Sequence, residues 1–81
     1  MRVVFLPHAR ERMALRNVTE EEALAVLGEP DAEYPGDHGR IVAERVLPGR
    51  RLATKVVYNL GAEQERIVVT VERGRPKGGT R

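Results

Sequence analysis

Hydrophobic positions along this chain recur with two periods, helical in the first third and alternating in the second half. Residues 2–6 (RVVFL) form a short β-rich run. Residues 7–16 (PHARERMALR) keep helical spacing, with Pro7 in the first turn, where a missing N–H leaves no bond unmade, and Asn17 as the stop. The segment VTEEEALAVLGEP predicts a second helix with explicit punctuation. Thr19 fits an N-cap, Glu22 three residues on completes a capping box, and Val18 with Ala23 can form the hydrophobic staple. Glu20, Glu21 and Glu22 lie where the helix dipole favours negative charge, and Gly28 with Pro30 ends the helix. Helix stability accounts for this acid cluster, and no metal site is read from it.

Beyond the link DAEYPGDHG, the period changes to two. RIVAERVL (40–47) turns through Pro48 and Gly49 into RLATKVVYNL (51–60), and GAEQ leads on to RIVVTVER (66–73). Two tight connections imply an antiparallel meander. Residues 74–81 (GRPKGGTR) read as a basic, disordered tail after one domain over residues 1–73. The expected architecture is α+β in the order β-α-α-β-β-β, a two-helix hairpin packed on one face of an antiparallel sheet. Alternation assigns Ile41, Ala43, Leu47, Leu52, Thr54, Val56, Tyr58, Ile67, Val69 and Val71 to the face under the helices, with Arg45 the one misfit. The opposite face carries Arg40, Arg51, Lys55 and Arg66 among apolar residues, a stripe suited to tracking phosphates or to an ordinary solvated sheet.

Composition narrows the classes. With 81 residues there is room for one small domain, whose stability a homodimer would support. Cysteine is absent and His8 and His38 are the sole histidines, so a structural zinc site is not expected, and no other cofactor or metal is implied. No apolar run approaches a membrane span and no secretory leader is recognisable, so the expected compartment is the cytoplasm. The net charge of +2 conceals blocks: +3 over residues 1–17, −7 over 18–38 and +6 over 39–81. Twelve of the 14 basic residues are arginine, whose planar fork suits phosphate and carboxylate.

Candidate chemistry lies on the first helix. At about 100° per residue, His8, Arg12 and Arg16 share one face beside Leu15, Ala9 and Met13, which must turn inward. One reading ties these three to acids of the second helix or to Glu44, because a buried unpaired guanidinium is costly. The other makes His8 and Arg12 a catalytic pair for a phosphodiester. Imidazole is the side chain that exchanges protons near neutrality, a neighbouring cation steadies the phosphorane, and no metal is needed. In that reading Arg16, Arg40, Arg51, Lys55 and Arg66 bind nucleic-acid phosphates, and Tyr34 or Tyr58 stacks a base.

The segments HARERMALRNVTEEEALAVLGEPD, GRIVAERV and RRLATKVVYN resemble a small prokaryotic family of unknown function whose members open with a His-Ala-x-x-Arg-Met helix. That family is distantly similar to RelE/ParE-type and BrnT-type toxins. The resemblance implies a RelE-like fold and a toxin-type RNA-binding protein or metal-independent ribonuclease, with RNA or the ribosome as target, or else a gyrase-directed toxin, and an antitoxin protein as partner. The toxins' catalytic residues have no counterpart by motif, since the last strand ends Val71-Glu72-Arg73. The alternative is a non-catalytic module that contacts a protein or nucleic acid through the basic sheet face.

Overall fold

The three alternating segments do become strands, and two further strands flank them. The computed structural model describes residues 1–78. It runs β1 (Val3–Phe5), α1 (Pro7–Arg16), α2 (Glu20–Gly28), β2 (Ala32–Pro35), a 3-10 turn (Asp37–Gly39), β3 (Ile41–Arg45), β4 (Ala53–Leu60) and β5 (Arg66–Gly74). The five strands form one sheet in the order β1-β5-β4-β3-β2. The result is an α+β fold with both helices packed against the sheet, and no helix among the described residues is long and apolar enough to cross a membrane.

Local chemistry explains the helices. Asn17 closes α1 in the left-handed conformation (φ 57°). The capping box at α2 is complete: Thr19 Oγ1 accepts from the Glu22 N–H at 3.0 Å, and Glu22 Oε1 accepts from the Thr19 N–H at 3.0 Å. Such a cap is worth about 1 kcal/mol. Ala9 and Met13 of α1, Val18, and Ala23, Val26 and Leu27 of α2 meet Ala43, Val56, Tyr58, Val68 and Val71 of the sheet in one core. Between β3 and β4, the Arg50 N–H reaches the Leu47 carbonyl at 3.0 Å across Pro48-Gly49. Gly49 supplies the φ of 78° that a type II turn demands at its third position.

Three features depart from the expected meander. β2 occupies the link read as irregular, pairing antiparallel with β3 from Ala32↔Glu44 to Pro35↔Ile41. β1 joins the other edge in parallel, Val3↔Arg66 through Phe5↔Val68. The third is a bulge in β5: Val57 faces Thr70 and Tyr58 faces Val68, leaving Val69 unpaired. A single extra residue inverts the alternation on one side of it. Val68 is therefore buried in the core in place of Ile67 and Val69, while Val71 faces the core as expected. Leu52 lies before β4 and is 44% exposed, outside the core. Arg45, the misfit on the inner face, is placed at the C-terminal end of α2, where its Nη1 donates to the Ala25 carbonyl at 3.4 Å.

The segment read as an unstructured tail continues, through Gly78, as a strap over the open sheet face; Gly79–Arg81 lie outside the described residues. From Gly74, paired with Ala53, it crosses towards β2. There the Lys77 and Gly78 N–H groups donate to Glu44 Oε2 at 2.8 and 3.0 Å, and the Lys77 ammonium sits 5.1 Å from the centroid of the Tyr34 ring. Glu44 Oε1 accepts from the Tyr34 hydroxyl at 2.8 Å and lies 3.6 Å from Lys55 Nζ.

Candidate functional site

Because β1 pairs with β5 only as far as Val68, the edge of β5 beyond it is left for α1 to flank. A groove of about 410 Å³ opens there, lined by His8, Arg12 and Arg16 from α1 and by Thr70, Val71, Glu72 and Arg73 from β5. The four-residue spacing that defined one helix face has become one wall of this groove. Arg12 Nε–H donates to His8 Nε2 at 3.4 Å, a long bond in which that imidazole nitrogen is the acceptor.

Three of the acids that could have neutralised this wall are engaged elsewhere. Glu20 pairs with Arg10 at 2.8 Å, Glu22 with Arg50 at 2.7 Å, and Glu44 with Lys55. Among the described residues neither Arg12 nor Arg16 forms an ion pair. His8 and Arg16 are exposed and Arg12 is half-buried, so all three meet solvent. The scaffold reading of Arg12 and Arg16 offered the acids of α2 and Glu44 as partners; of these, Glu20, Glu22 and Glu44 pair with Arg10, Arg50 and Lys55.

Arg73, which strand alternation alone did not single out, supports the groove. Its Nε donates to the Arg16 carbonyl at 3.1 Å, Nη2 to the Asn17 carbonyl at 3.0 Å, and Nη1 to the buried Thr54 Oγ1 at 3.0 Å. Arg50 Nη2 adds a second donor to the Asn17 carbonyl at 3.1 Å while holding Glu22. These guanidiniums satisfy the carbonyls that every helix leaves free at its C-terminus and complement its dipole. Hydrogen bonds from Arg50 and Thr19 hold the Glu22 carboxyl below the usual carboxylate range, against burial. Arg73→Ala is expected to lower stability by about 2–3 kcal/mol, because three charge-assisted bonds go and Thr54 loses its donor. Arg73→Lys should recover only part, since one ammonium cannot span three acceptors in a fork. Midpoints of urea unfolding for the two variants test this; an unchanged midpoint in Arg73→Ala would contradict it.

The remaining sequence candidates are dispersed. Arg66 has its guanidinium carbon 5.6 Å from the centroid of the Tyr58 ring, on the helix-facing side that the bulge gives it, and its Nε is buried without a partner among the described residues. Lys55 faces Glu44 under the strap. Arg40 precedes β3 beside the end of β4 at which Leu60 lies, whereas Arg51 precedes β4 at the opposite end. His38 is exposed in the 3-10 turn, at φ 59°. Tyr58 is buried and donates to Glu33 at 2.9 Å, and Tyr34 is held by Glu44 beneath Lys77, so neither ring is open for stacking. Burial, then the Glu44 bond, pushes the Tyr34 hydroxyl far above its ordinary pKa.

Residues 5–73 match the family described as Domain of unknown function (DUF4258). No curated protein and no solved structure matches the chain.

Proposed function

The chain belongs to the DUF4258 family, and within it we propose that this protein binds RNA in the α1–β5 groove and cleaves it without a metal. One observation carries the reading: His8, Arg12 and Arg16 line a single groove with Arg73, and among the described residues none of the three forms an ion pair with an acid. In an RNA strand, the 2′ oxygen attacks the adjacent phosphorus and the bond from phosphorus to the 5′ oxygen breaks. One proton leaves the 2′ hydroxyl and one is added to the departing oxygen, so no oxidant, reductant or co-reactant enters. His8, whose Nε2 is an acceptor, is suited to take the first proton and to return it to the departing oxygen. Arg12 and Arg16 stand beside the phosphate, where charge grows in the transition state. The resemblance to RelE/ParE- and BrnT-type toxins points the same way, and a toxin of that kind would be encoded beside an antitoxin that neutralises it.

The test is incubation of the purified protein with end-labelled single-stranded RNA in EDTA, beside the same oligonucleotide carrying 2′-deoxyribose. Products ending in 2′,3′-cyclic phosphate from the RNA, with the deoxy strand intact, are expected. Salt-sensitive binding of RNA with no cleavage would overturn the catalytic half and leave a phosphate-binding module. Absence of both would end the proposal.

A further inference from the structure

A second cleft, of about 740 Å³, lies on the far side of Arg73 and is lined by Gly49, Arg50, Arg51, Leu52, Arg73, Arg75 and Pro76. Four guanidiniums share it. Within the described residues one carboxylate, Glu22, pairs with one of them, Arg50. Arg50 and Arg73 are anchored to the Asn17 carbonyl and cannot swing away from each other. Burial, with the Arg50 charge beside it, draws the Arg73 proton affinity below the usual arginine value, while Glu22 opposes this. Arg51 and Arg75 are exposed and make no side-chain hydrogen bond or ion pair among the described residues. Like charges held this close are relieved by an anion, and the guanidinium fork matches phosphate oxygens.

Arg73 lines both clefts, so they form one continuous basic path around the C-terminal end of α1. We infer that Arg50, Arg51, Arg73 and Arg75 form a second phosphate-binding subsite, and that the ligand is a single RNA strand long enough to reach from the α1–β5 groove into this cleft. The inference rests on the RNA-binding half of the reading above and not on cleavage. Leu52 and Pro76 give the cleft an apolar wall against which a base can lie, which a duplex with its bases stacked inside would not use. Arg50 and Arg73 have structural duties, whereas Arg51 and Arg75 have none in the described structure. Those two are therefore the residues whose removal reports on the ligand alone.

The experiment measures fluorescence anisotropy of a labelled 2′-O-methyl RNA 12-mer, which cannot be cleaved, across a salt series. It compares the intact protein with the Arg51→Ala, Arg75→Ala double variant. For single strands the logarithm of affinity falls with the logarithm of salt by about 0.7 per phosphate neutralised. The double variant should show a slope shallower by about 1.4 and bind about 25-fold more weakly at 0.1 M salt. A labelled tetramer should be nearly indifferent to the two substitutions, being too short to occupy both clefts. Thermal melting of the double variant within a degree or so of the parent would exclude misfolding as the cause. An unchanged slope and affinity on the 12-mer overturn the subsite and leave the groove reading standing. Equal loss on tetramer and 12-mer overturns the continuous path, and preference for a duplex of the same length overturns the single strand. No binding of the 12-mer by the intact protein also overturns the subsite, and cleavage in the metal-free assay then decides the groove separately.

Discussion

Glu44→Ala should cost about 3–5 kcal/mol, a large share of the stability of a domain this small. The carboxylate is only 1% exposed and gathers four donors: the Tyr34 hydroxyl, the Lys77 and Gly78 N–H groups, and the Lys55 ammonium. Truncation leaves a half-buried ammonium, a half-buried hydroxyl and two backbone donors without their acceptor, and each unmet group carries its own desolvation penalty. In thermal melting the loss should appear as a drop of roughly 15 °C or more. Glu44→Gln should fall between, because an amide keeps one acceptor oxygen and turns its NH₂ towards Lys55 or the strap. If Glu44→Ala melts within a few degrees of the parent, the strap is not held by this carboxylate. Acid gives an independent check. Burial raises the Glu44 pKa, but the Gly78, Tyr34 and Lys77 bonds and the Lys55 charge outweigh it, so the folded value lies below the ordinary 4.5. A carboxyl depressed on folding adds stability that is complete above its unfolded pKa. That stability is lost as pH falls below about 4.5 through the folded value. Urea midpoints should decline over that range in the parent and much less in Glu44→Ala.

His8→Ala should lower the metal-free cleavage rate by about 10²–10⁴-fold, the usual contribution of a positioned proton-transfer group. Binding of the 2′-O-methyl strand should change little, since Arg12, Arg16 and Arg73 remain. Stability should also hold. His8 is exposed, and among the described residues its one side-chain bond is the long contact from Arg12. The split between rate and affinity separates a proton-transfer role from a merely structural one. Added imidazole should restore part of the rate if the cavity left by the ring admits it. Full activity in His8→Ala would remove His8 from the chemistry.

The helix pair was legible because its determinants are local. Thr19 and Glu22 make the cap they spell, Asn17 takes the left-handed turn expected of a stop, and the spacing of His8, Arg12 and Arg16 already placed them on one wall. What escaped depends on partners remote in sequence. β2 is four residues ending in proline, and its place comes from pairing with β3 and from the Tyr34–Glu44 bond. Ile67, Val68 and Val69 are all apolar, so nothing in the residues marks which one leaves the ladder. That unmarked parity change carries Arg66 to the Tyr58 side and breaks up the basic stripe expected on the open face. Arg73 lies in a strand whose sequence gives no sign that its guanidinium would reach the carbonyls at the end of α1.

The parallel pairing of β1 with β5 also sets an order of events. Val3 must wait for Arg66, its partner on the distant strand β5, and closing so long a loop is entropically slow. The β3–β4–β5 meander can form from neighbours, whereas β1 has to close a far longer loop before it pairs. Until it does, the β5 edge over residues 66–68 stands open in the nascent chain, and that is the interval in which pairing with the wrong molecule is most easily made.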